Sequence, residues 1–212
     1  MILILALAFL VAIVIHEFSH AWAADRLGDP TPRVQGRFSL NPIAHIDIIG
    51  TILVPAFLII SGAPILFGWA KPVRFDPYNL ENPRRDAAKI AFAGPLSNLI
   101  LATALALIVR GLDVFQVLPT LAVLLVPFIY INIILAIFNL IPIHPLDGGK
   151  ILIALLPEDI AHSWDKILSQ YGFIILLFLI FPIFGGTSII FSIIRPVLNI
   201  ILSTLLPTSP IL

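Results

Sequence analysis

Three residues in the first apolar stretch have the types and the spacing to do chemistry: His16, Glu17 and His20 in "HEFSH". On a helix, positions i and i+4 share a face. His16 and His20 can therefore offer two imidazole nitrogens to one zinc ion, with Glu17 beside them as a general base toward a water activated there. Ionisable groups inside an apolar span are costly and point to function. A catalytic zinc site keeps three protein ligands and one open position, so a third ligand is required. His45, His144, His162, the two other glutamates and nine aspartates are the remaining donors. Most of those carboxylates lie in polar stretches. Asp147 does not: "NLIPIHPLDGGKILIALL" sets it in apolar surroundings, where prolines and paired glycines open the backbone beside it. Broken helices at membrane depth are tolerated where they line a cavity, which suits a metal ligand.

The elements that must hold these residues are membrane helices. The 212 residues are 59% hydrophobic and 11% charged, with a mean hydropathy of +1.08, whereas a soluble domain carries about 25% charged residues. Twelve Lys plus Arg balance twelve Asp plus Glu, which leaves no basic face for nucleic acid. With no cysteine, a disulfide framework, a thiolate nucleophile and a cysteine metal site are all excluded. A membrane helix needs about 20 mostly apolar residues. Six runs qualify: Ile2 to Ala24, Ile46 to Trp69, Ala87 to Val109, Leu118 to Ile141, Trp164 to Phe184 and Thr187 to Leu206. No basic residue precedes the first run, so it reads as a membrane helix and not as a cleaved signal. The expected fold is all-α and integral to the membrane, a polytopic helical bundle of about five to six spans in a single domain over 1–212.

Depth gives a geometric check. His16 lies about ten residues before the polar boundary near Asp25, and Asp147 a similar distance before "PED" at 157–159. At 1.5 Å per residue, both sit roughly 10 to 15 Å inside. Six single crossings would nevertheless bring the two helices to opposite faces. Segment 46–69 resolves this if it is a re-entrant hairpin, since Pro55, Gly62 and Pro64 interrupt it and proline removes helical hydrogen bonds. With that hairpin, ten basic residues fall on one side and Arg110 alone on the other. Basic residues concentrate in cytoplasmic loops, so the active site is expected to open toward the cytoplasm of a cell membrane that the chain crosses several times.

The chain resembles the site-2 protease family of intramembrane zinc metalloproteases. The resemblance rests on "HEFSHAWAADRLGD", "NPIAHIDIIGTILVP", "FGWAKPV", "AFAGPLSN" and "FNLIPIHPLDGG", in that order. It implies a compact form with neither PDZ nor CBS domain, a catalytic core over about 1–157 and two C-terminal helices over about 164–206. It also implies one zinc ion per chain held by His16, His20 and Asp147, Glu17 as general base, and Asn139 as a residue that binds substrate backbone. The expected reaction is hydrolysis of a peptide bond in or near a transmembrane segment of a membrane protein or peptide. The lipid bilayer and self-association are the other expected partners, and nucleic acid is not one.

A membrane metal transporter or an inactive protease-like scaffold would also place His and Asp in broken helices; Glu17 discriminates, since neither needs a base beside zinc. Hydrolysis of prenylated or soluble tails would share the metal chemistry. Gly94 and Asn98 are expected to pack and hydrogen-bond helices together, and His45 to be an interfacial loop residue. His144, three residues before Asp147, is a candidate to hold the Asp147 carboxylate or to serve as a substitute metal ligand, and Arg195, before Pro196, is expected to snorkel to an interface.

Overall fold

The computed structural model describes residues 2–62, 68–181 and 188–206. Regular structure among them is helical throughout: α1 (Ile2–Arg26), α2 (Thr31–Val34), α3 (Val54–Ile60), α4 (Pro83–Val114), α5 (Pro119–Asn139), α6 (Asp147–Leu155), α7 (Glu158–Ile180) and α8 (Ile189–Leu205). Short 3₁₀ turns cover Pro42–His45 and Pro77–Asn79, and one wide π-type turn covers Ile48–Leu53. Helices α1, α4, α5 and α7 are long and apolar enough to cross a membrane, and Ile48–Ile60 and Ile189–Leu205 are shorter apolar helices. Each of the six apolar runs therefore contains a helix among its described residues. Helix α7 starts six residues before the expected Trp164, because Glu158 and Asp159 occupy its first turn, where carboxylates complement the helix dipole. Pro64, Phe184 and Thr187, which entered the segment assignments, lie outside the described residues.

The helices are joined along stripes of small residues. On α1, Ala8, Ala12, His16, His20 and Ala24 are all buried and recur every fourth residue, so both histidines stand on one apolar seam. Helix α4 answers with Ile90, Gly94, Asn98, Ala102 and Ala106, also buried at a spacing of four. Small side chains let membrane helices approach closely. Contacts of His20 with Ile90 and of His16 with Asn98 show that α1 and α4 run antiparallel. Helix α5 returns beside α4 after the turn at 115–118. Its buried Ala122, Ile129 and Ile133 join Leu176, Ile190, Ile194 and Leu198 of α7 and α8 in the main apolar core.

Residues 46–69 double back. Trp69 N–H donates to the Gly50 carbonyl (3.1 Å), Thr51 Oγ1 to the Trp69 carbonyl (2.8 Å) and Lys71 N–H to the His45 carbonyl (2.9 Å). The described ends of the segment thus lie side by side at one level, which agrees with a re-entrant hairpin. A Cβ on Gly68 would stand 2.6 Å from the Gly50 oxygen, and one on Gly50 would enter the Trp69 indole, so both glycines are needed for the close return.

One polar layer collects the loops at the C-terminal end of α1. Arg84, in the first turn of α4, donates from Nε to the Ile153 carbonyl (2.9 Å) and also reaches the Leu156 carbonyl, sealing the C-terminus of α6. Lys150 Nζ lies 5.1 Å from the centre of the Phe75 ring. Arg110 stands at the opposite end, where its Nε donates to the Leu205 carbonyl (2.6 Å) and closes α8. The isolated basic residue of the sequence is therefore the one at the far face.

Asp29 ties this layer together. Helix α1 ends in a Schellman motif, with Asp29 N–H on the Ala24 carbonyl (2.9 Å), Gly28 N–H on the Asp25 carbonyl (3.2 Å) and Gly28 at φ +99°, a conformation that favours glycine. The Asp29 side chain, fully buried, accepts from Thr31 N–H (3.0 Å), Thr31 Oγ1 (2.6 Å), Asp76 N–H (2.8 Å) and Asn79 Nδ2 (2.8 Å). Burial pushes its pKa up, but these donors favour the charged form more strongly, and the carboxyl is held below its usual range. A carboxylate whose folded pKa is depressed contributes stability above its unfolded pKa of about 3.9 and loses it as pH falls through the folded value. The stability advantage of the native chain over Asp29→Asn, measured by thermal unfolding in detergent, should be complete above about pH 4 and shrink as pH falls further.

Candidate metal centre

His16, His20 and Asp147 converge. His16 Nε2 lies 3.1 Å and His20 Nε2 3.2 Å from Asp147 Oδ2, and all three residues are buried. The imidazoles meet edge to face with centroids 4.6 Å apart. Helix α1 supplies the histidines one turn apart, and α6 supplies Asp147 as its first residue. The turn before α6 requires glycine at 148, where a Cβ would enter the Ile141 and Leu140 carbonyls.

The protons on this site are set by the neighbours. His20 Nδ1 faces the Ile90 carbonyl at 2.7 Å, a pure acceptor, so Nδ1 carries a hydrogen and the neutral ring keeps its lone pair on Nε2. Asn98 Nδ2 donates to the Ala12 carbonyl (3.0 Å) and to Asn132 Oδ1 (2.7 Å), which turns its Oδ1 toward His16 Nδ1 at 2.6 Å. His16 is therefore also protonated at Nδ1. Asn132 is held in turn through Nδ2 on the Phe128 carbonyl (2.8 Å). Three acceptors, two imidazole nitrogens and one carboxylate oxygen, then face each other. Asp147 Oδ2 is buried with no hydrogen-bond donor, and the three atoms lie within 4.8 Å of one another. A buried acceptor without a donor is destabilising, and converging lone pairs repel. A cation removes both problems, and two nitrogens with one oxygen suit zinc, which leaves a fourth position open.

Glu17 is half-buried on the turn between the histidines. Its Oε2 accepts from Val73 N–H at 2.9 Å, on the chain that returns from the hairpin. Asn139 ends α5 and donates from Nδ2 to the Leu135 carbonyl (3.0 Å); among the described residues it makes no hydrogen bond to the three-residue cluster. His144 pairs with Asp165 of α7 at 3.1 Å, not with Asp147. His45 is buried at the base of the hairpin, with Nε2 on the Ser39 carbonyl (2.7 Å). Arg195 is exposed on α8.

Gly94 and Asn98 do pack the helices, as expected, but they also shape the cluster. A Cβ on Gly94 would stand 2.5 Å from His20 Cε1 and Nε2 and 2.7 Å from His16 Cε1. Their spacing of four residues in "AFAGPLSN" puts them on one face, which is the sequence signal for a shared role.

A model of Peptidase family M50 matches residues 4–118 and 116–179. The chain belongs to Peptidase family M50. This M50 protein is 35% identical over 190 residues to a Bacillus subtilis (strain 168) protein named "Putative zinc metalloprotease YwhC", covering 82% of this chain and 78% of that one. It is 28% identical over 180 residues to "Putative zinc metalloprotease Rip2" of Mycolicibacterium smegmatis, covering 84% and 66%. It is 25% identical over 174 residues to "Zinc metalloprotease MJ0392" of Methanocaldococcus jannaschii, covering 80% and 39%. No solved structure matches it. The chain is thus a membrane zinc metalloprotease of the site-2 protease type.

Groups that orient metal ligands typically contribute 10- to 100-fold to metal affinity. Gly94→Ala should lower zinc affinity by about 10-fold or more, because the imidazoles it meets are pinned from behind and cannot yield. Asn98→Leu, similar in volume but without the acceptor for His16 Nδ1, should act in the same direction. Competition with a chromophoric chelator measures both.

Proposed function

We propose that this M50 protease hydrolyses a peptide bond in or near a transmembrane segment of a membrane protein, using zinc held by His16, His20 and Asp147. The observation that carries this reading is the convergence of three buried acceptors, beside a glutamate, within helices built to lie in lipid. Zinc bound there would polarise the scissile carbonyl and make a water easier to deprotonate. Glu17 takes the proton from the attacking water and delivers it to the leaving amine. The Val73 N–H holds one oxygen of Glu17, and the other serves the proton. In this reading Asn139, at the break between α5 and α6, binds the backbone of an extended substrate strand.

Charge supports the orientation. Ten basic residues lie at the C-terminal end of α1 and along the loops gathered there, while Arg110 closes the opposite end. This distribution supports a cell membrane location with the site opening toward the cytoplasm. Glu17 remains what separates a protease from a metal transporter or a scaffold.

Glu17→Gln should lower cleavage of a membrane-anchored test substrate by about 10²- to 10⁴-fold while zinc content stays unchanged. Cleavage at the native rate with zinc retained would overturn the mechanism. Mass spectrometry of membrane fractions from native and Glu17→Gln cells would map the bond cut, and cuts confined to soluble tails would overturn the substrate class. Lys71→Cys, as the sole thiol, should react with an impermeant maleimide only from the cytoplasmic side.

A further inference from the structure

Glu17 is held by the backbone N–H of Val73, so its position depends on the segment that carries Val73. Val73 N–H belongs to a stretch that the hairpin delivers and α4 takes up. Upstream, Lys71 is fastened to His45. Downstream, Asp76 N–H ends on Asp29 Oδ2 and Asn79 Nδ2 on Asp29 Oδ1. Asp29 is itself fixed to α1 by the Schellman motif, and Thr31 supplies its other two donors. Residues 73–76 are therefore attached to α1 at both ends, by Glu17 at one and by Asp29 at the other. Between them Phe75 packs near Ala23, Ala24 and Ile90 and meets Lys150 on the helix that begins with Asp147.

We infer that Asp29 is a positioning residue for Glu17: its buried carboxylate clasps Asp76 and Asn79, and so sets where the Val73 N–H presents itself to the base. The inference rests on Glu17 acting as general base. Asp29 touches neither the three-acceptor cluster nor Glu17, and its influence runs through four residues of backbone. A fully buried carboxylate with four donors from three residues is more than α1 needs to terminate, since its last carbonyls are already satisfied by Gly28 and Asp29 N–H. Asp29→Asn keeps the size but sets an NH₂ against at least one of those donors.

Two readouts test this. Because the chain has no cysteine, Val73→Cys introduces a single buried thiol and keeps the backbone N–H. That thiol should react with a small maleimide slowly in the native background and about tenfold faster when Asp29→Asn is added, as the segment opens. In chains without the added cysteine, Asp29→Asn should lower kcat about 10- to 100-fold, with KM within about twofold and zinc content unchanged, since a misplaced group of about 1 Å costs rate more than binding. Asn79→Ala, which removes one donor and leaves the carboxylate, should move both readouts the same way by a smaller factor; it carries the test if Asp29→Asn does not fold. A thiol that stays protected, or one that opens with kcat unchanged, overturns the inference while leaving the protease reading intact. A native chain that holds zinc but cleaves nothing overturns the protease reading, and this inference with it.

Discussion

Three buried hydrogen-bond acceptors pointed at one another are the constraint on which the rest of the structure depends. His16 and His20 can present lone pairs there only because their other nitrogens are occupied, one by the Asn98 amide and one by the Ile90 carbonyl. Both partners lie on α4. The helix that packs on the histidines therefore also decides where their protons sit, and the packing seam and the metal centre are one object. The Asn98–Asn132 bond extends that control to α5. A shift of α4 by one turn would leave the apolar seam largely intact but would put Gly94 or Ala102 in place of Asn98, and neither has a side-chain acceptor for His16 Nδ1.

The parts of the centre carried by side chains of distinctive type were legible in the sequence. "HEFSH" offers two candidate ligands and a candidate base by spacing alone, and Asp147 is conspicuous because an acid in apolar surroundings needs a reason. The hairpin followed from prolines and from the sides on which the charges fall, and the hydrogen bonds between Gly50 and Trp69 agree. Asn98 was harder. A small residue and an amide on one helix face look the same whether they join two helices or orient a ligand, and the difference depends on which helix lies opposite.

Other contributions could not be read because they have no residue type. The Val73 N–H and the Ile90 carbonyl are backbone groups, and any residue at those positions would supply them. Asp29 does have a type, but it stands in a polar loop where an aspartate is ordinary. Only its complete burial, and the convergence of donors on it from three residues, separates it from its neighbours. His144 illustrates the reverse case: closeness in sequence to Asp147 suggested a partnership, but its ring is turned toward Asp165 of α7.

Helix α6 is only nine residues long, with the ligand carboxylate in its first turn and the Arg84 guanidinium on its last carbonyls. Aligned peptide dipoles place partial positive charge at the first turn of a helix and partial negative charge at the last. The short helix thus works as a fixed electrostatic element. Its positive end complements a buried carboxylate, and its negative end is neutralised at the polar layer. The break in the chain before Asp147 has a second effect besides opening the backbone. It begins a new dipole at the site, where a continuous α5 would have presented only the featureless middle of a helix.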